Sequence, residues 1–217
     1  MITSDLFATA QTPSRDEPLA DGAVVLRGFA LVEETPLLQA VAVIAAQAPF
    51  RHLVTPGGLR MSVAMTNAGP LGWVSDRRGY RYDPVDPDSG RPWPPLPPVF
   101  LQLAGAAATR AGFAGFVPDA CLLNRYEPGA RLSLHQDRDE RDFEQPIVSV
   151  SLGIPAVFLF GGPRRVDRTQ RVPLAHGDVV VWGGAARLHH HGVLPLKPNH
   201  HPLLGETRIN LTFRRAG

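Results

Sequence analysis

The sequence predicts a mainly β protein with flanking helices, folded as a double-stranded β-helix (a jelly roll of the cupin kind). Three observations lead there. From Asp119 onward, eight short apolar or alternating runs follow one another with turn residues between them. Before them lie two segments of helical periodicity, at 33–47 and 98–110. Between the two helices, residues 50–97 hold neither pattern for long and carry two of the three tryptophans and two of the three tyrosines. That middle segment reads as short strands and loops laid over something else.

Taken in chain order, residues 1–18 read as a loose arm. Met1 to Asp5 shows no basic head followed by an apolar stretch, so no secretory leader is expected. Gly22 to Ala30 contains Val24, Val25 and Leu26 and predicts a strand. In Glu33–Gln47 the residues Leu37, Leu38, Val41, Ile44 and Ala45 fall on one helical face, with Pro36 in the first turn, where proline is tolerated. The run from Pro92 to Pro98 can be a polyproline ligand or a rigid connector, and the connector is the expected reading. A second helix is predicted over Pro98–Arg110. The eight strands expected in the core region 119–215 are Ala120–Tyr126, Leu132–Gln136, Ile147–Leu152, Val157–Phe160, Arg171–Leu174, Asp178–Trp182, Arg187–Val193 and Thr207–Arg214. An immunoglobulin-like sandwich is the structural competitor, and the polar pattern described below argues against it.

Composition narrows the function classes. With 217 residues, a single domain over 1–217 is the expectation, long enough to bury a core without disulfides. Apolar residues at 44% and charged residues at 19% exclude a wholly disordered chain. Cys121 is the one cysteine, which precludes an internal disulfide and points to a reducing compartment, so a cytoplasmic location is expected. No apolar run approaches the roughly 18–20 residues of a membrane span. The net charge of +2 implies no polyanionic partner by itself. Lys197 is the one lysine among 22 basic residues; an arginine-favouring codon bias accounts for that as well as anion binding does.

The chemistry begins at His135-Gln136-Asp137. Alternate residues of a strand face one side, so His135 and Asp137 can share a metal. A lone His-x-Asp is common by chance, and a later histidine strengthens it. His189, His190 and His191 offer candidates: alternation puts His189 and His191 on one face and leaves the choice between them open. Two imidazoles and a carboxylate make the facial triad of non-haem Fe(II) oxygenases, with three positions left for substrate and oxygen. Zinc accepts the same ligand types, and a surface histidine cluster is the plainer alternative.

A second pattern bears on that choice. In Arg208–Arg214 the apolar Ile209, Leu211 and Phe213 alternate with Arg208, Asn210, Thr212 and Arg214. Asn124 and Tyr126 form a similar polar pair before His135. A half-buried strand with a wet face produces the same alternation. If instead these faces line a cavity, two arginines there call for anions, because unpaired buried charge is strongly unfavourable. A small dicarboxylate with an α-keto acid end offers partners to both guanidiniums and can chelate iron.

The residues also resemble the AlkB family of Fe(II)/2-oxoglutarate dioxygenases, from about Leu6 to Ala216. The matching stretches are Val54–Gly58, Met61–Asn67, Asn124–Tyr126, Ser133–Asp137, His176–Gly184 and Arg208–Arg214. The resemblance implies that His135, Asp137 and His191 hold Fe(II), and that Asn124, Tyr126, Arg208, Asn210 and Arg214 hold the cosubstrate 2-oxoglutarate. It makes residues 50–97 a nucleotide-recognition lid in which Trp73, Tyr80, Arg81 and Tyr82 contact substrate, joined by Asp139 and Arg165, with Arg164 beside the last. The implied activity consumes O2 and oxidises N-alkyl groups on bases such as 1-methyladenine and 3-methylcytosine, releasing formaldehyde, succinate and CO2. The implied partners are alkylated single- or double-stranded DNA, with RNA as a second polymer. No membrane partner is expected, and the protein is expected to be a monomer. Bases methylated on a Watson–Crick nitrogen are cations, which suits aromatic ring faces and a carboxylate such as Asp139. Hydrophobic core is the plainer account of the lid aromatics. A hydroxylase of protein or small molecules and a non-redox metal-binding jelly roll are the competing functions.

Overall fold

The computed structural model describes residues 16–217; the predicted arm at 1–15, and with it the absence of a leader, lies outside the described residues. Among the described residues fourteen strands and two α-helices form. An eight-stranded sheet has the order β1-β2-β12-β9-β14-β7-β4-β3, in which β12 is Val179–Trp182, and a four-stranded sheet the order β11-β10-β13-β8. Strands β1 (Asp16–Ala20), β2 (Ala23–Leu26), β3 (Arg51–Val54) and β4 (Arg60–Ala68) precede the core region but belong to the large sheet. Thus Asp16 to Pro18, expected in the arm, are strand. Their pairing with β2 supplies the long-range partner that the local sequence could not reveal.

Strand β7 (Ala120–Tyr126) pairs with β14 (Arg208–Arg214), and β14 pairs in turn with β9 (Ile147–Gly153). Helices α1 (Glu34–Gln47) and α2 (Pro98–Arg110) cover one face of this sheet. Leu37, Val41 and Ile44 of α1 and Phe100, Leu103 and Ala107 of α2 pack on Leu123, Val150, Val181, Leu211 and Phe213. The Phe100 and Phe213 rings meet edge to face at 5.5 Å. The opposite face of the large sheet looks toward β8 (Leu132–His135), β10 (Ala156–Phe160), β11 (Gln170–Leu174) and β13 (His191–Val193). Between the two sheets, Tyr126, Ile147, Phe158, Val172 and Trp182 form a second apolar cluster.

This layering explains β14. All seven of its residues are buried, because the apolar set faces the helices and the polar set faces the other sheet. The wet-face reading of Arg208–Arg214 does not hold. The sheets also replace the competing immunoglobulin arrangement with a jelly roll.

The segment 50–97 divides in two. Its β3 is the edge strand of the large sheet and β4 the next one in, β4 pairing with β7 from Ala64 to Ala68. Strand β5 (Gly72–Asp76) and strand β6 (Gly79–Asp83) form a separate hairpin. The proline run fastens this hairpin as a connector. Trp93 is buried against Val74 and Ala48, and its indole N–H donates to the Asp83 carbonyl at 2.9 Å. Gly69 donates its N–H to the Pro94 carbonyl. The strand expected over Arg187–Val193 is shorter than predicted. Residues Gly184–Ala186 make a 3-10 turn and pairing begins at His191.

Candidate metal centre and cosubstrate cavity

Strands β8 and β13 place His135 directly opposite His191. Their rings lie 4.4 Å apart. Strand β8 ends at His135, so Asp137 lies just beyond it, and Gln136 turns away to bond the Leu188 carbonyl at 2.6 Å. Asp137 nevertheless returns to the same side. Its Oδ1 is 3.5 Å from His135 Nε2 and its Oδ2 is 3.7 Å from His191 Nε2. Burial and packing separate the three consecutive histidines. His191 is buried between the sheets, whereas the half-buried His189 ring lies 5.5 Å from Phe160 and His190 approaches the Gly162 carbonyl.

The tautomers favour a metal. His135 Nδ1 lies 2.9 Å from the Ser133 carbonyl and His191 Nδ1 lies 3.0 Å from the His189 carbonyl. A carbonyl only accepts, so each Nδ1 carries a proton and each Nε2 is the atom turned toward Asp137. Burial and the neighbouring His135 push His191 down to about 3, which keeps it neutral and ready to ligate. Burial also disfavours charge on His135, but the Asp137 carboxylate outweighs it and raises that histidine. Burial pushes Asp137 upward, and the Arg214 guanidinium, joined by the bond from His135, more than reverses this and holds the carboxyl well below its ordinary range. The donor set fits a divalent metal with open coordination positions.

A second cluster, Glu34, His176 and His201, has its ligand atoms equally close together. There the chemistry runs the other way. Gly153 N–H donates to His176 Nδ1 at 2.7 Å, so the neutral ring carries its proton on the Nε2 that faces Glu34. With Nδ1 accepting from the backbone and a proton on the Nε2 that lies 2.6 Å from Glu34 Oε1, that imidazole has no free lone pair for a metal.

A cavity of about 740 Å³ opens over the His135 group. It brings together Asn124, Tyr126, Arg208, Asn210 and Arg214 from the inner face of the large sheet, with Trp73, Tyr80, Asp139 and Arg165 at its wall. The two arginines differ in a way that the alternation could not show. Arg208 is 2% exposed and donates from Nη2 to Ser151 Oγ at 2.9 Å. Among the described residues its Nε and Nη1 have no hydrogen-bond partner, and its guanidinium sits 4.9 Å over the Tyr126 ring. Burial lowers its pKa. A buried guanidinium with unused donors is matched to an anion. Arg214 already has its partners: Nε and Nη2 donate to Asp137 Oδ2 at 3.0 and 2.6 Å, and Nε lies 3.2 Å from Glu140 Oε1. Despite burial, those carboxylates raise it further above its ordinary value. The argument that both arginines await an outside anion therefore holds for Arg208 alone. The amides are linked: Asn124 donates to Asn210 Oδ1, and Asn210 donates to Ser149 Oγ and the Val150 carbonyl.

The lid residues sort by face. Trp73 and Tyr80 stack at 5.6 Å with planes 13° apart, and the Trp73 indole N–H donates to Asp139 Oδ2 at 2.8 Å. Arg81 points to the other side of β6, where it pairs with Asp76 and Asp83; the structure does not bring it to the main cavity. Tyr82 directs its hydroxyl inward to Glu140 at 2.6 Å and is likewise absent from the cavity wall. Arg165 reaches that wall, while Arg164 is tied to Asp167. Glu140 and Arg187, both buried and paired at 3.1 Å, escaped the sequence reading. No local pattern marks them, since their partners lie 47 positions apart.

Two inward imidazoles, a carboxylate and an unmatched buried guanidinium in one jelly-roll cavity define a metal-dependent enzyme with an anionic cosubstrate. The chain belongs to the 2OG-Fe(II) oxygenase superfamily, whose sequence pattern matches residues 22–214. It is 57% identical to the α-ketoglutarate-dependent dioxygenase AlkB of Escherichia coli strain K12, over 98% of each chain. It is 59% identical to the protein of the same name from Salmonella typhimurium, over 98% of this chain and 97% of the other. Among solved structures, that titled "The structure of OsALKBH1" superposes with a TM-score of 0.81 at 30% identity, covering 93% of this chain and all of the other. The protein is accordingly a dioxygenase that uses Fe(II), 2-oxoglutarate and O2. Among the described residues no helix is long and apolar enough to cross a membrane.

Proposed function

We propose that the protein repairs N-alkylated nucleobases by oxidative dealkylation, with 1-methyladenine and 3-methylcytosine in DNA as principal substrates and RNA as a second polymer. The carrying observation is the cavity wall, where a stacked Trp73–Tyr80 pair and the Asp139 carboxylate stand on the same cavity as the His135–Asp137–His191 group. In this reading His135, Asp137 and His191 hold Fe(II). Arg208 takes the distal carboxylate of 2-oxoglutarate, flanked by Asn124, Tyr126 and Asn210, while Arg214 fixes Asp137 beside the keto-acid end. When bound, the iron together with 2-oxoglutarate and O2 supplies the oxidising power that the side chains lack.

The chain's own residues bind and orient. Trp73 presents a ring face to a flipped base, and Asp139 offers a carboxylate to its positive charge. Flipping costs least for bases whose pairing the methyl group has already broken. Such a lesion exchanges the Trp73–Asp139 contact for contacts to itself. Oxidation of the N-methyl carbon gives a hemiaminal, which collapses to formaldehyde and the restored base. Arg165 at the cavity wall supports the polynucleotide, and in this reading Arg81 and Tyr82 serve the lid's shape. We further assign the activity to a single domain spanning 1–217, acting as a monomer in the cytoplasm on single- or double-stranded DNA.

The deciding experiment measures formaldehyde and succinate release with methylated oligonucleotide, with free amino acids and with no added substrate. Stoichiometric formaldehyde with the oligonucleotide is expected. Stimulation of succinate release by amino acids alone would replace this reading with that of a small-molecule hydroxylase.

A further inference from the structure

Glu140 is a buried carboxylate beside the candidate metal centre with three side-chain partners, Tyr82, Arg214 and Arg187. Its side chain is 2% exposed. Oε1 accepts the Tyr82 hydroxyl and lies 3.2 Å from Arg214 Nε; Oε2 accepts from Arg187 Nη2 at 3.1 Å. Arg187 follows the 3-10 turn that leads into β13. It also donates from Nη1 to the Asp137 main-chain carbonyl at 2.7 Å and from Nε to the Gln145 carbonyl at 2.9 Å. Glu140 thereby grips both guanidiniums that hold Asp137, one at its side chain and one at its backbone. The two carboxylates and two guanidiniums of this buried quartet balance in charge.

The balance bears on metal binding. Arg214 spends both of its Asp137 bonds on Oδ2, which leaves Oδ1 toward His135 Nε2. A carboxylate held in this way presents one oxygen to a metal. Without the charge of Glu140, Arg214 and Arg187 would turn their full attraction on Asp137 and compete with the metal for it. We propose that Glu140 is a positioning residue of the iron site, which sets the hold of Arg214 and Arg187 on Asp137 so that one carboxylate oxygen stays available beside the two imidazoles. This rests on the reading of His135, Asp137 and His191 as the metal ligands.

The test is Mn(II) binding to the full-length protein, followed by the electron paramagnetic resonance signal of free Mn(II) and paired with thermal unfolding of the metal-free protein. Partners of metal ligands typically govern about 10–100-fold in affinity, and Glu140→Gln is expected to weaken Mn(II) binding by that factor. Glu140→Asp keeps the charge with a shorter reach and is expected to fall between wild type and Gln. A Glu140→Gln protein that unfolds at lower temperature but binds Mn(II) as tightly as wild type would overturn the proposal, because Glu140 would then serve stability alone. If Glu140→Gln does not fold, Glu140→Asp decides: weaker binding supports the role and unchanged affinity refutes it. Asp137→Ala separates the two levels of inference. Unaltered binding in that variant refutes the ligand reading itself, whereas loss there with unchanged Glu140→Gln refutes only the role of Glu140.

Discussion

Replacing Arg208 by methionine should move two quantities in opposite directions. In the ligand-free protein Arg208 is a buried cation with two unpartnered nitrogens, held by Ser151 Oγ and the Tyr126 ring. An apolar side chain of similar length relieves that desolvation, so Arg208→Met is expected to be at least as stable as wild type without ligands. In the proposed reading, the same residue becomes half of a buried charge pair when 2-oxoglutarate binds. Loss of one partner costs about 3–5 kcal/mol, which is roughly two to four decades in affinity. Arg214→Met should behave differently. It leaves Asp137 and Glu140 short of a cation even without ligand, at about 3–5 kcal/mol, or roughly 6–20 °C in unfolding temperature for a chain of this size. The assay is calorimetric titration of 2-oxoglutarate into Mn(II)-loaded protein, alongside thermal unfolding of the metal-free variants. An Arg208→Met protein that binds 2-oxoglutarate within a factor of about three of wild type, or that unfolds several kcal/mol more easily, would refute the reasoning.

Three further outcomes are expected. Alanine at His135, Asp137 or His191 should abolish succinate release and bound iron, whereas His189→Ala, which removes a ring from beside Phe160, should keep most of both; metal analysis of the purified variants checks this. Asp139→Ala should slow repair of cationic 1-methyladenine more than of neutral 1-methylguanine, by about 1–3 kcal/mol or roughly five- to 150-fold, and equal slowing in oligonucleotide kinetics would show that the carboxylate does not sense charge. The third concerns acid. Burial alone would raise Asp86, but bonds from Arg51, the Asp88 N–H and Ser89 outweigh it and hold the carboxyl below its ordinary value. A depressed carboxylate adds stability above its unfolded pKa of about 3.9 and loses it as pH falls through the lower folded value. The stability gap between wild type and Arg51→Met, read by denaturant titration, should therefore be constant near neutrality and close below about pH 4.

The two helices were legible because each buries one stripe of a 3.6-residue period, and both form within a residue of the expected limits. The strands of the core region were legible for the matching reason, since Ile209, Leu211 and Phe213 face one layer and Arg208, Asn210 and Arg214 the other. Local order determines those periods. It does not determine partners. Only the assembled sheets decided that β1 to β4 join the large sheet, that His191 rather than His189 lies opposite His135, and that Arg81 turns from the cavity while Tyr80 does not. The same holds for charge. Alternation put Arg208 and Arg214 on one face as equals, and tertiary contacts made one an unmatched cation and the other a buried partner of Asp137 and Glu140. A residue's hydrogen bonds and solvation are set by what folds against it, and Glu140 and Arg187 meet across 47 positions of chain that no local pattern spans.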